Sequence, residues 1–209
     1  EFAPRQRYCF RHPLVRTVAY ESQIRADRAH AHRRLAAAIE SRELASQDEN
    51  AALIATHLEG AGDLKAACRW HLRAAEWLRS RDMLAARAQW ESAMHVADRL
   101  PDDDEDATTL RIAPRAMLVS TELFVGADPG NEQRLRELRE LTTRADDRHS
   151  LALALAGRIV TLIVNCNRVR EALPLAAELT CLVEELGPTP VGELEILYSA
   201  MAFAHLANC

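Results

Sequence analysis

Three tryptophans set among alanines constrain the fold of this chain more than any other feature of its sequence. Trp70 and Trp77 are seven residues apart, so they lie on one face of a first helix. Trp90 follows on a second helix, after a turn predicted near Ser80–Asp82. A buried indole removes about 150–250 Å² from water, and small neighbouring residues let a facing backbone approach. The stretch therefore predicts an antiparallel helix hairpin.

The same stretch resembles a tetratricopeptide repeat, whose pattern reads Trp-x2-Leu-Gly-x2-Tyr-x8-Ala-x3-Phe-x2-Ala. Six positions of the pattern carry the same residue or one of similar character: Trp70, Ala74, Trp77, Ala86, Trp90 and Ala93. Arg73 stands where the repeat has leucine. The resemblance implies an all-α, tetratricopeptide-like or MalT-like superhelix of helix hairpins in which these six residues serve repeat packing. An ordinary alanine-rich hairpin is the alternative. A repeat scaffold presents a binding surface without defining what is bound.

Composition favours a helical protein of a reducing compartment. Hydrophobic residues make up 48% of the chain and aromatic residues 5%, with alanine and leucine prominent. The five cysteines include no CxxC pair and accompany no secretory signal, so we expect reduced thiols and a cytoplasmic protein. The longest apolar run, from Leu151 to Cys166, contains Arg158 and is too short to span a bilayer.

The ends and the charge distribution suggest a piece of a larger protein with two functional parts. The chain does not begin with Met, and no cap follows its last helical stretch, so we expect further sequence on both sides. Residues 1–42 hold nine arginines and four acids, a net charge of +5, whereas residues 43–209 hold 17 basic and 27 acidic residues, a net charge of −10. This asymmetry predicts a basic N-terminal part and an acidic body.

Residues 1–42 have the pattern of the end of a winged-helix unit. An extended segment is predicted at Tyr8–Phe10, and Pro13 suits the first position of a helix. A second helix is predicted from about Ala26 to Ser41, with Leu35 and Ile39 facing inward.

A second resemblance covers residues 8–95. The string from Phe10 to Arg16, the later His32-Arg33-x-Leu35-Ala36 and the segment Ala55 to Asp63 are similar to the junction between the ATPase module and the helical repeats of STAND-type signalling ATPases. Members include LuxR-type transcriptional regulators and multidomain adenylate cyclases of actinobacteria, particularly mycobacteria.

This second resemblance implies a nucleotide-sensing role for the start of the first helix. Relatives with Met-His-Asp-Leu-Val place that histidine against the ADP phosphate; here His12 matches it, and Pro13 replaces the aspartate. A helix N-terminus favours phosphate, and Arg11 and Arg16 add positive charge. We therefore expect these three residues to bind nucleotide phosphate together with an upstream ATPase module. The alternative is a capping or packing role for His12.

The remaining chain is predicted to be helical in two regions separated by an acidic linker. Residues 43–100 contain a helix from Gln47 to Ala61 and then the tryptophan hairpin, whose first helix is capped by Asp63. Residues 101–106 hold five acids and predict a solvated connection. Residues 107–209 predict five helices with a period of about 40 residues, resembling MalT-like arrays in length and alternation, and truncated at the C-terminus.

The sequence contains none of the common motifs for nucleotide binding, catalysis or metal binding. The chain contains no phosphate-binding loop, dinucleotide fingerprint, nucleophile elbow or zinc-protease motif. Its eight histidines are not spaced as metal ligands. His30 and His32, for example, point to different sides of one helix and cannot bind the same ion. We therefore expect no catalysis, metal or cofactor in this fragment, with ATP or ADP bound only by a full-length protein.

These observations predict a non-catalytic sensor region of an ATP-dependent transcriptional regulator. The expected partner is a protein, a peptide or a small inducer on the concave helical surface, with no membrane contact. Two alternatives are a regulatory C-terminal region of an adenylate cyclase and an oligomerisation scaffold that forms a homo-oligomer. The acidic body argues against direct DNA binding, although the arginines of residues 25–34 could contact phosphates.

Overall fold

A computed structural model describes residues 11–42, 44–126 and 128–187 of the 209-residue chain. These residues form ten α-helices and one 3₁₀ turn without any strand, which confirms the predicted all-α class. The helices are α1 (Pro13–Glu21), α2 (Arg25–Glu40), α3 (Leu44–Glu49), α4 (Ala51–Ala61), α5 (Leu64–Arg79), α6 (Met83–Ala97), α7 (Ala107–Ser120), α8 (Asn131–Ala145), α9 (Arg148–Val164) and α10 (Val169–Leu186), and the 3₁₀ turn is Glu122–Phe124. The predicted extended segment Tyr8–Phe10 and the predicted last helix lie outside the described residues.

Local signals set the helix ends around the tryptophan hairpin. The Asp63 carboxylate accepts the backbone N–H of Ala66 at 3.2 Å, and the Asp82 carboxylate accepts that of Ala85 at 2.9 Å. Each aspartate thereby satisfies an N–H group that the first helical turn leaves without a partner. Gly62 ends α4 at φ +80°, a left-handed conformation that glycine adopts readily.

The predicted single helix from Gln47 to Ala61 is wrong, because the chain forms two helices that meet at Asn50. Asn50 has φ −103° and ψ 8°, outside the helical region. Its side-chain amide donates to the Ser46 carbonyl at 2.6 Å. Such local bonds from asparagine compete with the regular helical backbone pattern.

Consecutive helices pack as neighbours along most of the chain. Helix α4 lies between α2 and α5, and α5 pairs most extensively with α6. Helix α7 contacts α6, α8 and α9, and α9 pairs with α10. A smaller contact joins α5 to α7. The main hydrophobic clusters include Ile39, Ile54, Cys68, Val96 and Leu110 in the first, and Val119, Leu138, Leu155, Ile159 and Leu179 in the second.

The acidic segment 101–106 is largely exposed and is also tied to neighbouring helices by ion pairs. Three of its carboxylates form ion pairs: Asp102 with Arg111 at 2.7 Å, Asp104 with Lys65 at 2.7 Å, and Asp106 with Arg69 at 2.8 Å. The first hydrophobic cluster includes Leu100 and Ala107, on either side of the segment. These carboxylates therefore pair with neighbouring helices while the segment stays largely exposed, and the division into regions 43–100, 101–106 and 107–209 stays a prediction.

The first two helices are less buried than their apolar patterns suggest. Helix α1 buries none of its residues. On α2, Ile39 is 7% exposed as predicted, but Leu35 is 50% exposed, so its predicted inward position was wrong. Ala36, one residue further round the helix, is buried instead. Helix α2 therefore contacts α4 through only part of its apolar side.

Candidate binding groove

An open groove of about 560 Å³ lies where α5, α6, α7, the 3₁₀ turn and α9 meet. We call it the binding groove. Its lining residues are Arg79, Ser80, Met83, Met117, Ser120, Thr121, Phe124, Leu153, Ala156 and Gly157. Binding pockets for small ligands typically have about 300–1,000 Å³, so the groove has room for several apolar side chains.

A glycine permits the close helix contact beside the binding groove. A Cβ atom added at Gly157 would lie 2.3 Å from the Ser120 Cα and carbonyl oxygen. Because backbone cannot move aside as a side-chain end can, any other residue would push α7 and α9 apart. Gly157 therefore fixes the separation of the two helices that line the groove.

The walls of the groove are mainly apolar and adaptable. Met83 and Met117 are partly buried against a hydrophobic cluster, while Phe124 is 65% exposed on the 3₁₀ turn. Methionine side chains are flexible and polarisable, so they fit apolar partners of different shapes. The arrangement can bind an apolar segment, and Arg79 adds a positive charge to its lining.

A buried ion pair fastens the 3₁₀ turn that carries Phe124. Glu122 is completely buried, and its Oε2 lies 2.5 Å from Nη1 of Arg158 on α9. The other oxygen accepts the backbone N–H of Asp128 at 2.9 Å. Both oxygens of the buried carboxylate are therefore paired, as its burial requires.

A second buried arginine holds the end of α7. Arg87 on α6 is 5% exposed and donates to the Leu118 carbonyl at 2.7 Å and to the Thr121 hydroxyl at 2.8 Å. A cation at a helix C-terminus is favoured by the helix dipole. Burial lowers the pKa of Arg87, and the negative charge of Asp128 partly opposes this shift.

Asp128 is held as a carboxylate beside these arginines. Burial alone would raise its pKa, but the hydrogen bonds from Arg134 at 2.5 Å and from the Gly130 N–H at 2.8 Å outweigh burial, so the pKa is lowered. The network connects α6, the 3₁₀ turn and α8. The side-chain nitrogen of the buried Asn131 has no hydrogen-bond partner among the described residues.

The predicted nucleotide-sensing residues lie at the start of α1, away from the elements that form the binding groove. His12 occupies the N-cap position, but its side chain makes no capping hydrogen bond. Arg11 and Arg16 are exposed. Pro13 takes the first helical turn, as predicted. The phosphate-binding role of these residues stays a prediction.

The six repeat-pattern residues differ in burial. Ala74 and Trp90 are each 2% exposed, and Ala86 and Ala93 are completely buried. Trp70 and Trp77 are only partly buried. Both of these rings instead lie under an arginine side chain, Arg73 at 4.6 Å for Trp70 and Arg81 at 4.5 Å for Trp77. Arg73, which departs from the repeat pattern, therefore covers its neighbouring indole.

Two histidines that appear unrelated in the sequence contact each other. His32 on α2 and His57 on α4 place their Nδ1 atoms 3.0 Å apart, and the Tyr20 hydroxyl lies 2.9 Å from the His32 Nε2. A Cβ at Gly60 would lie 2.8 Å from the His32 ring, so the glycine leaves room for it. Burial, followed by the charge of His32, lowers the pKa of His57.

The described part of the chain contains no group of three or more metal-ligating side chains. None of its helices has the length and hydropathy that a membrane span needs. Cys68 is buried, and this burial raises the pKa of its thiol to about 11, so it stays protonated.

The residues that form the groove and its supports were not identified from the sequence. Gly157, Glu122 and Arg87 carry no motif. The charge of Arg158 inside an apolar run was a usable signal, because a buried charge needs a partner, but the run does not identify that partner. A comparison with family models, curated proteins and solved structures finds no match for the chain.

Proposed function

We propose that this chain is a non-catalytic, protein-interaction region that binds an apolar peptide segment of a partner protein in the binding groove. The observation that carries the proposal is the groove itself: an open, largely apolar surface whose shape is fixed by Gly157 and by the Glu122–Arg158 pair. Phe124 stands 65% exposed beside it. An exposed aromatic residue next to methionines is a typical anchor at protein interfaces.

The arrangement of the helices supports a tetratricopeptide-like or MalT-like superhelix. Helices α5, α7 and α9 begin 43 and then 41 residues apart, and each contacts the next of the three. In such a superhelix these would be the inner helices, and the binding groove would face the concave side. An open concave surface suits a peptide better than a small inducer, which needs a more enclosed pocket.

We also propose the wider setting that the sequence resemblance implies. The chain would be the regulatory region of a STAND-type ATPase, such as a LuxR-type transcriptional regulator, with residues 1–42 as the end of the winged-helix unit. His12, Arg11 and Arg16 would then approach ATP or ADP held by the upstream module. Their exposure at the start of α1 supports this role. The regulatory region of an adenylate cyclase and an oligomerisation scaffold are the alternative settings.

The nucleotide role is tested in the intact protein. His12→Ala is expected to accelerate release of bound ADP, because a phosphate contact of the resting state is lost. Unchanged ADP release would remove His12 from the site. The adenylate cyclase setting is distinguished by the coding sequence that precedes residue 1.

The groove is tested by selecting displayed peptides on the 209-residue chain and measuring their affinity for point variants by calorimetry. Phe124→Glu places a charge in the groove and is expected to weaken binding about tenfold or more. The matched control is Leu84→Glu, since Leu84 is 68% exposed on α6 and does not line the groove. Selected peptides that bind both variants as tightly as the unmodified chain would contradict the proposal.

A further inference from the structure

Two histidine rings face each other between α2 and α4, on elements that do not line the binding groove. The Nδ1 atoms of His32 and His57 lie 3.0 Å apart, and the ring centroids are 5.2 Å apart with the ring planes at 45°. Both side chains are partly buried. The other ring nitrogen of His32, Nε2, lies 2.9 Å from the Tyr20 hydroxyl. Three polar side chains therefore connect α1, α2 and α4, and we call His32 and His57 the histidine pair.

The distance between the two Nδ1 atoms leaves room for one hydrogen. When both rings are neutral, the Nδ1–H of one ring donates to the unprotonated Nδ1 of the other. A first added proton can be held on an Nε2 atom, so this hydrogen bond survives. A second added proton puts a hydrogen on both Nδ1 atoms, which then meet as two donors on two positively charged rings. The contact is therefore compatible with one added proton but not with two.

The His32 ring is confined by its neighbours. A Cβ atom added at Gly60 would lie 2.8 Å from the ring, so the α4 backbone lies directly against it. Tyr20 contacts the same ring edge-on, with 5.8 Å between the centroids. Because the ring is in contact with both α1 and α4, repulsion between two charged rings acts on the contact between α2 and α4.

The charged side chain nearest in helical spacing to the histidine pair is positive. Arg28 lies one turn before His32 on α2, and its guanidinium lies 5.0 Å from the centroid of the Tyr20 ring. Arg33 donates to the Ala61 carbonyl at the end of α4 at 3.4 Å. The other residues three and four positions from either histidine on its own helix are apolar or glycine. They are Ala29, Leu35 and Ala36 on α2, and Leu53, Ile54, Gly60 and Ala61 on α4.

Carboxylates on the surrounding helices are engaged elsewhere or exposed. Glu59 on α4 lies 2.9 Å from the His71 ring of α5 and 3.4 Å from Arg99. Asp48 on α3 lies 2.6 Å from Arg73 of α5. Glu21, beside Tyr20 on α1, is exposed, so water and salt screen its charge. Burial and then the charge of His32 are the causes that lower the pKa of His57, which agrees with this geometry.

We propose that the histidine pair is a pH-sensitive switch that holds α1 and α2 against α4 at neutral pH and releases them in acid. Few other contacts oppose the release, because α1 buries no residue and α2 buries Ala36 and Ile39. The separated rings bind protons more readily than the paired rings, so acid favours separation. The release therefore begins as the pH falls below about 6.5, the ordinary pKa of histidine, and is absent above it.

The test is hydrogen–deuterium exchange of the 209-residue chain at pH 7.5 and 5.5, read by mass spectrometry. Exchange rates are divided by those of an unstructured peptide at the same pH, which removes the pH dependence of the chemistry. Protection of α2 amides is expected to fall about tenfold relative to that of α9. His32→Gln and His57→Gln should each abolish this fall, because one ring cannot take up the second proton. His30→Gln, an exposed change on the same helix, is the matched control and should retain it.

A second measurement does not depend on the variants. An NMR titration of the ring nitrogens in the ¹⁵N-labelled, unmodified chain is expected to show the histidine pair taking up its two protons in separate steps. Identical, independent titration of the two rings would overturn the proposal.

The exchange experiment can also contradict the switch. Unchanged α2 protection at pH 5.5, or a fall that persists in both His32→Gln and His57→Gln, would overturn it. An equal loss in α2 and α9 would show global unfolding instead of release and would overturn it as well. Phe124→Glu should leave the release intact, so the switch and the binding groove fail separately.

Discussion

Removing the buried carboxylate of Glu122 should destabilise the whole chain and loosen the wall of the binding groove. Glu122 is completely buried and Arg158 is 8% exposed, with 2.5 Å between the paired atoms. Breaking a buried ion pair at one partner typically costs about 3–5 kcal/mol, because the remaining charge stays buried alone. We therefore expect Glu122→Ala to lower the free energy of unfolding by about this amount, since the Asp128 N–H also loses its acceptor.

The assay is urea unfolding followed by far-UV circular dichroism, in which midpoints are compared at equal slope. Arg158→Met should cost a similar amount, because it leaves Glu122 as the unpaired buried charge. The double variant Glu122→Ala with Arg158→Met should be more stable than either single variant, since no buried charge remains. Costs that add within about 0.5 kcal/mol would show that the two residues do not interact and would refute the reasoning.

Three further predictions concern the helix contacts. Gly157→Ala should lower the free energy of unfolding by about 1–3 kcal/mol, because the added methyl group meets the Ser120 backbone at the end of α7. The loss is measured as a lower urea midpoint, and an unchanged midpoint would contradict the close contact of α7 with α9. Trp90→Ala should lower the free energy of unfolding by about 3–5 kcal/mol, because Trp90 is a buried aromatic residue. Trp77→Ala should lower it clearly less, because Trp77 is only partly buried. Equal losses for the two variants would contradict this difference in burial. The lowered pKa of His57 means that its proton binds the unfolded state more tightly, so stability should fall as the pH drops from 7.5 through 6.5 towards the folded-state pKa. This fall should be smaller in His57→Gln but not in the exposed control His95→Gln, and equal falls would exclude His57 as its source.

Helices and their caps could be predicted because the signals are local. Asp63 stands beside the glycine that ends α4, and its capping bond reaches only three residues along the chain. The burial of Trp90 follows from the alanines at helical spacing around it. One wrong prediction also has a local cause. The side chain of Asn50 donates a hydrogen bond to the Ser46 carbonyl and interrupts the helix, and the spacing of apolar residues does not show this bond.

The groove could not be predicted because its supports are far apart in sequence. Glu122 and Arg158 are separated by 36 residues, and neither is marked by a motif. Gly157 appears as an unremarkable glycine in an apolar helix until Ser120 lies against it. The predicted burial of Leu35 was wrong for a related reason. The sequence pattern identifies the apolar side of α2, but not how much of that side the next helix covers. Each case depends on tertiary contacts that a single sequence leaves open.

The use of arginine divides the molecule into two kinds of surface. In the body, arginines such as Arg87 and Arg158 are buried with their partners, so their charge fixes the geometry of helix ends and of the groove wall. These two buried arginines are shielded from solvent, so added salt should weaken their ion pairs little. On α1 and α2 the arginines are solvent-accessible beside exposed aliphatic residues, so any binding there should depend strongly on salt. The lining of the binding groove is mainly apolar, so peptide binding there should respond little to ionic strength, and a strong loss of affinity with added salt would contradict a mainly apolar contact.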